Sequence, residues 1–118
     1  MKSNSLMKSF QFAMTGLLHV FYTQRNMKIH LLAAAGVFAL AWRLDFSTWE
    51  YAILTIAVGM VWVTEVLNTA IEVVVDLASP EIHPLAKKAK DIAAGAVLIS
   101  AVMSVIIGGL LFGPYIKG

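Results

Sequence analysis

The sequence has 118 residues, 59% of them hydrophobic and 14% charged, with no cysteine and a formal net charge of +2. Its length allows one domain, yet a soluble domain of this size cannot bury so large an apolar share, and a lipid-facing exterior removes that conflict. The missing cysteines exclude disulfides and thiol chemistry, and nine Lys and Arg divided by apolar runs leave no nucleic-acid footprint.

Leu6, Phe10, Ala13, Met14, Leu17, Leu18 and Phe21 recur with helical period, while Lys8, Gln11, Thr15 and His19 lie largely off that face. The pattern predicts an amphipathic helix over 3–22, lying in a membrane interface and retained rather than cleaved. An amphipathic helix packed on a protein partner is the plainer alternative. Residues Gln24 to His30 then connect it to a first span. The apolar run Ile29 to Leu44 predicts a transmembrane helix over 29–46, short for a bilayer, with Lys28 and Arg43 placed to snorkel and Trp42 suited to an interface.

A polar connection from Arg43 to Glu50 follows, with Ser47 as candidate N-cap. The second span is expected over 48–76, about 42 Å long at 1.5 Å per residue. Pro80 and Pro84 bracket the next connection. A third span over 84–112 has a charged start, a clear apolar stretch from Ile92 to Phe112, and Gly113-Pro114 as its expected stop. The expected architecture is thus all-α and integral to a membrane, a single domain over 1–118 with three spans and one surface helix. Lys2, Lys8, Arg25, Lys28, Lys87, Lys88 and Lys90 fall on one side of these spans, and only Arg43 and Lys117 on the other. Seven against two places the N-terminus and the second connection in the cytoplasm and the C-terminus outside.

Glu65 to Asp76 reads E-V-L-N-T-A-I-E-V-V-V-D. At helical period, Asn68, Glu72 and Asp76 all fall within about 60° of Glu65, so four polar groups line one side of an apolar helix. Such groups in a span pair with others or face water, and like-charged carboxylates need a cation between them. Polar glue between helices is the structural alternative. Carboxylates suit Mg²⁺, which is held by one or two of them together with phosphate oxygens. Lys90 and Asp91, with Lys87 and Lys88 a turn earlier, start the third helix and are expected near the Glu72–Asp76 end. Lysine neutralises a transferring phosphate, and a carboxylate deprotonates a hydroxyl. Arg25 and Lys28 are candidates to hold polyphosphate, and Asn26 or His30 to fix the geometry. Ala93, Ala94, Gly95 and Ala96 permit close helix approach, or crowding by a ligand at Gly95. The three histidines lack zinc spacing, and no Walker A or protein-kinase glycine loop is present. Phosphoryl transfer therefore stands beside ion conduction and lipid binding, with a channel or membrane adaptor as the non-enzyme reading.

Glu65 to Asp76, followed by H-P-L-A-K-K-A-K-D-I-A-A-G-A-V-L from His83 to Leu98, resembles the signature of the small prokaryotic diacylglycerol kinases, and most of all the undecaprenol kinase type of Gram-positive bacteria. Phe10 to Gly16 (F-Q-F-A-M-T-G) and Arg25 to His30 (R-N-M-K-I-H) match as well, so the resemblance covers nearly the whole chain. It implies ATP- and Mg²⁺-dependent transfer of the γ-phosphate to a lipid alcohol by a homotrimer with sites shared between subunits. Undecaprenol is the implied acceptor and diacylglycerol the runner-up. By motif, Glu65 matches the catalytic base, Asn68 its polar neighbour and Glu72 a metal-binding carboxylate. Asp76 matches a nucleotide-site acid, and Lys90 with Asp91 a phosphate- and nucleotide-site pair. The residue pattern itself leaves both Glu65 and Asp91 as general bases. Gln24 departs from the pattern, standing where the family usually has a glutamate that helps hold magnesium. An amide offers a neutral oxygen to the metal. Weaker metal affinity, compensation by a nearby residue or water, and a substitution introduced to trap an inactive complex are the three readings of this position.

Overall fold

The computed structural model describes residues 5–117, and all regular structure among them is helical. Four helices follow in order: α1 (Leu6–Thr23), α2 (Arg25–Arg43), α3 (Thr48–Ala78) and α4 (Pro84–Lys117). The expected start of the surface helix at Ser3, and Lys2 of the charge count, lie outside the described residues.

Ser5 caps α1, its side chain accepting the Lys8 N–H at 3.2 Å. The expected connection from Gln24 to His30 shrinks to one residue. Gln24 alone is extended, at φ −98° and ψ 115°, and is both the C-cap of α1 and the N-cap of α2. Arg25 to His30 contain no Gly or Pro, so they continue as the first turns of α2 once Gln24 has turned the chain.

The end of α2 is set by a Schellman motif. The Phe46 N–H donates to the Ala41 carbonyl at 3.1 Å and the Asp45 N–H to that of Trp42 at 3.2 Å. Asp45 takes φ 57°, the left-handed conformation the motif requires and one that aspartate tolerates. The turn delivers Phe46 onto Ala41 in a buried cluster with Leu54, Leu111 and Phe112. Phe46 stands 4.8 Å from the Phe112 ring and 5.1 Å from Tyr115. A capping box then starts α3: the Glu50 N–H donates to Ser47 Oγ, and the Ser47 N–H donates to Glu50 Oε1.

The main contact in the chain is the α3–α4 hairpin, with α2 against α3 and α1 laid over α2 and α3. Ser104 Oγ ties the hairpin by donating to the Ala57 carbonyl at 2.9 Å. The Thr55, Thr64 and Thr69 hydroxyls return to carbonyls one turn back, which satisfies them inside apolar helices. The fourth helix passes its expected stop. Pro114 removes only the bond to the carbonyl four residues earlier, and the last turn is drawn back by Tyr115, whose hydroxyl donates to Glu50 Oε1 at 2.5 Å. Gly95 does not serve close approach within the chain, since a Cβ there would meet nothing within 4 Å.

α3 and α4 are each long and apolar enough to cross a membrane. α2 has Arg25, Asn26, Lys28 and His30 in its first two turns and does not meet the same measure. The chain measures 54 × 39 × 20 Å. In so thin a slab Ile56, Val63, Leu67, Ile99, Val105 and Leu110 remain exposed, the pattern of a membrane-associated protein.

The contact between Glu50 and Tyr115 ties the end of α4 to the start of α3, because Glu50 Oε1 accepts from both the Ser47 N–H and the Tyr115 hydroxyl. Tyr115→Phe removes one of these bonds and is expected to lower the melting temperature in detergent. A melting curve that matches that of the wild type would show that the contact carries no stability.

Candidate active site

The polar stripe of α3 descends from buried to exposed. Glu65 is 2% exposed, Asn68 and Glu72 are half-buried, and Asp76 is exposed. Asn68 Nδ2 donates to Glu72 Oε1 at 2.9 Å, the spacing of four placing one above the other. This bond fixes the Glu72 carboxylate and leaves Asn68 Oδ1 buried without a partner.

At the outer end of the stripe Lys90 Nζ donates to Asp76 Oδ1 at 2.5 Å across the hairpin. The pair sets the Lys90 ammonium against the Asp76 carboxylate one turn beyond Glu72. Asp91, next in sequence to Lys90, pairs instead with Lys87 at 2.7 Å on its own helix. The side chains of Lys87, Lys88 and Asp91 border a shallow hollow of about 370 Å³ with Pro84 and Ile92. The sequence-predicted residues thus form two groups. Glu72, Asp76 and Lys90 come together, whereas Glu65 lies about 16 Å from Asp76 along the helix axis, eleven residues at 1.5 Å each.

Arg25 and Lys28 are exposed on the first turn of α2, and neither side chain makes a hydrogen bond or ion pair among the described residues. The Gln24 amide donates to Thr23 Oγ1 at 3.4 Å. Asn26 is exposed beside them. His30 is drawn inward, its Nε2 3.6 Å from Glu65 Oε2.

His30 also lines a cavity of about 390 Å³ between α2, α3 and α4, walled by Ala34, Val37, Ala57, Val61, Trp62, Ser104 and Phe112 among others. Trp62 was not among the sequence candidates. Phe21 of α1 meets its ring edge-on at 5.6 Å, and its indole Nε1 is buried without an acceptor. Its position one turn before Glu65 was the available signal.

Among the described residues no three His, Asp or Glu side chains gather into a metal cage. Magnesium does not need one, because it takes one or two carboxylates and completes its shell with water and phosphate oxygens. The hard oxygens of Glu72, with the uncommitted Oδ1 of Asn68 beside them, fit that demand.

Two long apolar helices that carry an acidic stripe to a lysine at one end define a small membrane-associated helical protein. A family model described as prokaryotic diacylglycerol kinase matches residues 11–112. The chain belongs to that family, and membership supports a lipid-phosphorylating kinase activity. It is 44% identical over 111 residues to an undecaprenol kinase of Bacillus subtilis, covering 94% of this chain and 90% of that protein. It is 43% identical over 111 residues to a diacylglycerol kinase of Synechocystis, covering 93% of this chain and 63% of that protein. With a diacylglycerol kinase of Escherichia coli it shares 31% over 101 residues, 86% of this chain and 83% of the relative.

The Lys90–Asp76 pair can be tested apart from any turnover. An ammonium held by a carboxylate is a poorer nucleophile than a free amine, so Lys90 should acylate slowly. Asp76→Asn removes the carboxylate and is expected to speed Lys90 labelling by an amine-reactive reagent, read by peptide mass spectrometry. Equal labelling of Lys90 in both proteins would show that the pair does not persist in solution.

Proposed function

We propose that the protein is an ATP- and Mg²⁺-dependent lipid kinase that phosphorylates undecaprenol, working as a homotrimer in the bacterial cytoplasmic membrane. The observation that carries this reading is a buried carboxylate, Glu65, joined through His30 to an apolar cavity and carried on the same helix as the Glu72, Asp76 and Lys90 group. An apolar cavity suits a lipid chain, and a buried carboxylate beside the His30 that lines it suits the proton of a lipid hydroxyl.

In this reading Glu65 takes that proton and Asn68 orients Glu72. Lys90, released from Asp76, meets the phosphate charge with Asp91 beside it. Arg25, Lys28 and Asp76 hold the rest of the nucleotide. Glu72 and Gln24 are the magnesium ligands, and the metal supplies neutralising charge for the phosphate oxygens when bound. The separation of about 16 Å between Glu65 and Asp76 along α3 exceeds the contact distance that reacting groups need, which supports a site completed by a neighbouring chain.

α2 is the third span in this reading. Its polar first turns sit in the cytoplasmic interface, and Trp42 and Trp49, both largely exposed, flank the opposite turn at the height of an aromatic belt. The N-terminus and the site face the cytoplasm and the C-terminus lies outside. Undecaprenol is favoured over diacylglycerol because the chain nearly spans the length of the Bacillus undecaprenol kinase.

Purified protein given Mg-ATP with each lipid alcohol in turn is expected to phosphorylate undecaprenol faster than diacylglycerol. Glu65→Gln and Lys90→Ala should insert and assemble normally but lose on the order of a hundredfold or more in turnover. A preference for diacylglycerol reassigns the acceptor, and near-normal turnover of both variants removes the site.

A carboxylate is a stronger hard-metal ligand than an amide. Gln24→Glu is thus expected to lower the magnesium concentration giving half-maximal turnover, at matched assembly and fixed ATP and lipid. Superimposable magnesium titrations would exclude Gln24 as a ligand position.

A further inference from the structure

Glu65 combines two features that a base used once per turnover must reconcile. It is 2% exposed, and its Oε2 is sealed from solvent without a hydrogen-bond partner among the described residues. A proton accepted there has no direct way to water, and a buried charge there needs a partner. The ionisable group recorded beside that oxygen is His30, with Nε2 at 3.6 Å. This is an ion-pair separation rather than a hydrogen bond, and closing it by about 0.6 Å makes the bond. Such tightening on substrate binding is common where unliganded sites are loose.

His30 has what Glu65 lacks. Its side chain is 24% exposed and lines the apolar cavity. It stands in the second turn of α2, two residues from the exposed Lys28. Imidazole both accepts and releases a proton near neutral pH. A histidine that merely filled the cavity wall would have no reason to turn its Nε2 toward the one sealed carboxylate oxygen on the neighbouring helix.

We propose that His30 is a positioning residue and proton relay that acts through Glu65, which deepens the kinase reading and rests on it. As the lipid oxygen forms its bond to phosphorus, the bond from phosphorus to the bridging oxygen of the nucleotide breaks, and ADP leaves with that electron pair. The hydroxyl proton passes to Glu65 and from Oε2 to His30 Nε2. Glu65 is thereby ready for the next turnover, and the imidazolium releases its proton at the cavity mouth. His30 also holds the Glu65 carboxylate in one orientation.

The test compares wild type, His30→Ala, His30→Gln and Glu65→Gln with Mg-ATP and undecaprenol or diacylglycerol. In His30→Ala and His30→Gln, kcat is expected to fall on the order of ten- to a hundredfold while the lipid KM changes by less than about threefold. Millimolar imidazole should restore part of the lost kcat in His30→Ala and none in Glu65→Gln. Wild-type kcat in both His30 variants overturns the proposal. So does a loss that imidazole does not restore, and so does a loss confined to the lipid KM, which marks packing alone. A wild type that phosphorylates neither lipid overturns the kinase reading itself, so the two failures are distinguishable.

Discussion

Trp62 Nε1, Glu65 Oε2 and Asn68 Oδ1 are buried on successive turns of α3 without a hydrogen-bond partner among the described residues. Each such atom costs about 1–3 kcal/mol when left unmade in an apolar setting. Three in a row make this stretch of α3 the place where the chain carries its largest unmet polar demand among the described residues. A lipid hydroxyl, a metal-bound phosphate and a neighbouring subunit are the groups that would complete it in the proposed trimeric kinase. The remaining architecture holds α3 in place against α2 and α4.

That holding is done mostly at the far end. The Schellman turn after α2 places Phe46 against Ala41, Leu54 and Phe112, and Tyr115 reaches Glu50 in the capping box that opens α3. Aromatic packing and caps thereby fix where α3 begins and how α4 lies beside it. From that anchor α3 runs 31 residues to Ala78, and Ser104 fastens α4 to it at Ala57 on the way. The charged end is held lightly by comparison. Its cross-helix tie is the exposed Lys90–Asp76 pair, which an incoming anion competes for directly. A packed apolar end and an exposed ionic end suit the proposed kinase, which would take a nucleotide at one face and keep the other in lipid.

The shape of the single chain carries the same message. A slab 20 Å thick leaves large apolar side chains exposed on both α3 and α4. Lipid covers some of that surface at no cost. In the proposed trimer a neighbouring chain would cover the rest and bring a second set of basic groups toward Glu65.

Much of this was legible in the residue order because it depends on period and local chemistry. An apolar run long enough to cross a bilayer, a serine three residues before a glutamate, and polar residues at spacings of three and four each have one local solution. α3, α4, the capping box and the polar stripe follow from them. The exit of α4 past Pro114 was not legible, because the last turn is retained by a hydroxyl that must find Glu50, 65 residues away in sequence. Nor was the choice of Asp76 rather than Asp91 as the partner of Lys90, since neighbours in sequence point to different sides of a helix. Periodicity places a side chain at an angle on its own helix, and it says nothing of how that helix is rotated against the next. Only the packing of α1 and α2 on α3 could therefore bring His30 to Glu65 and set Phe21 against Trp62 beside an apolar cavity.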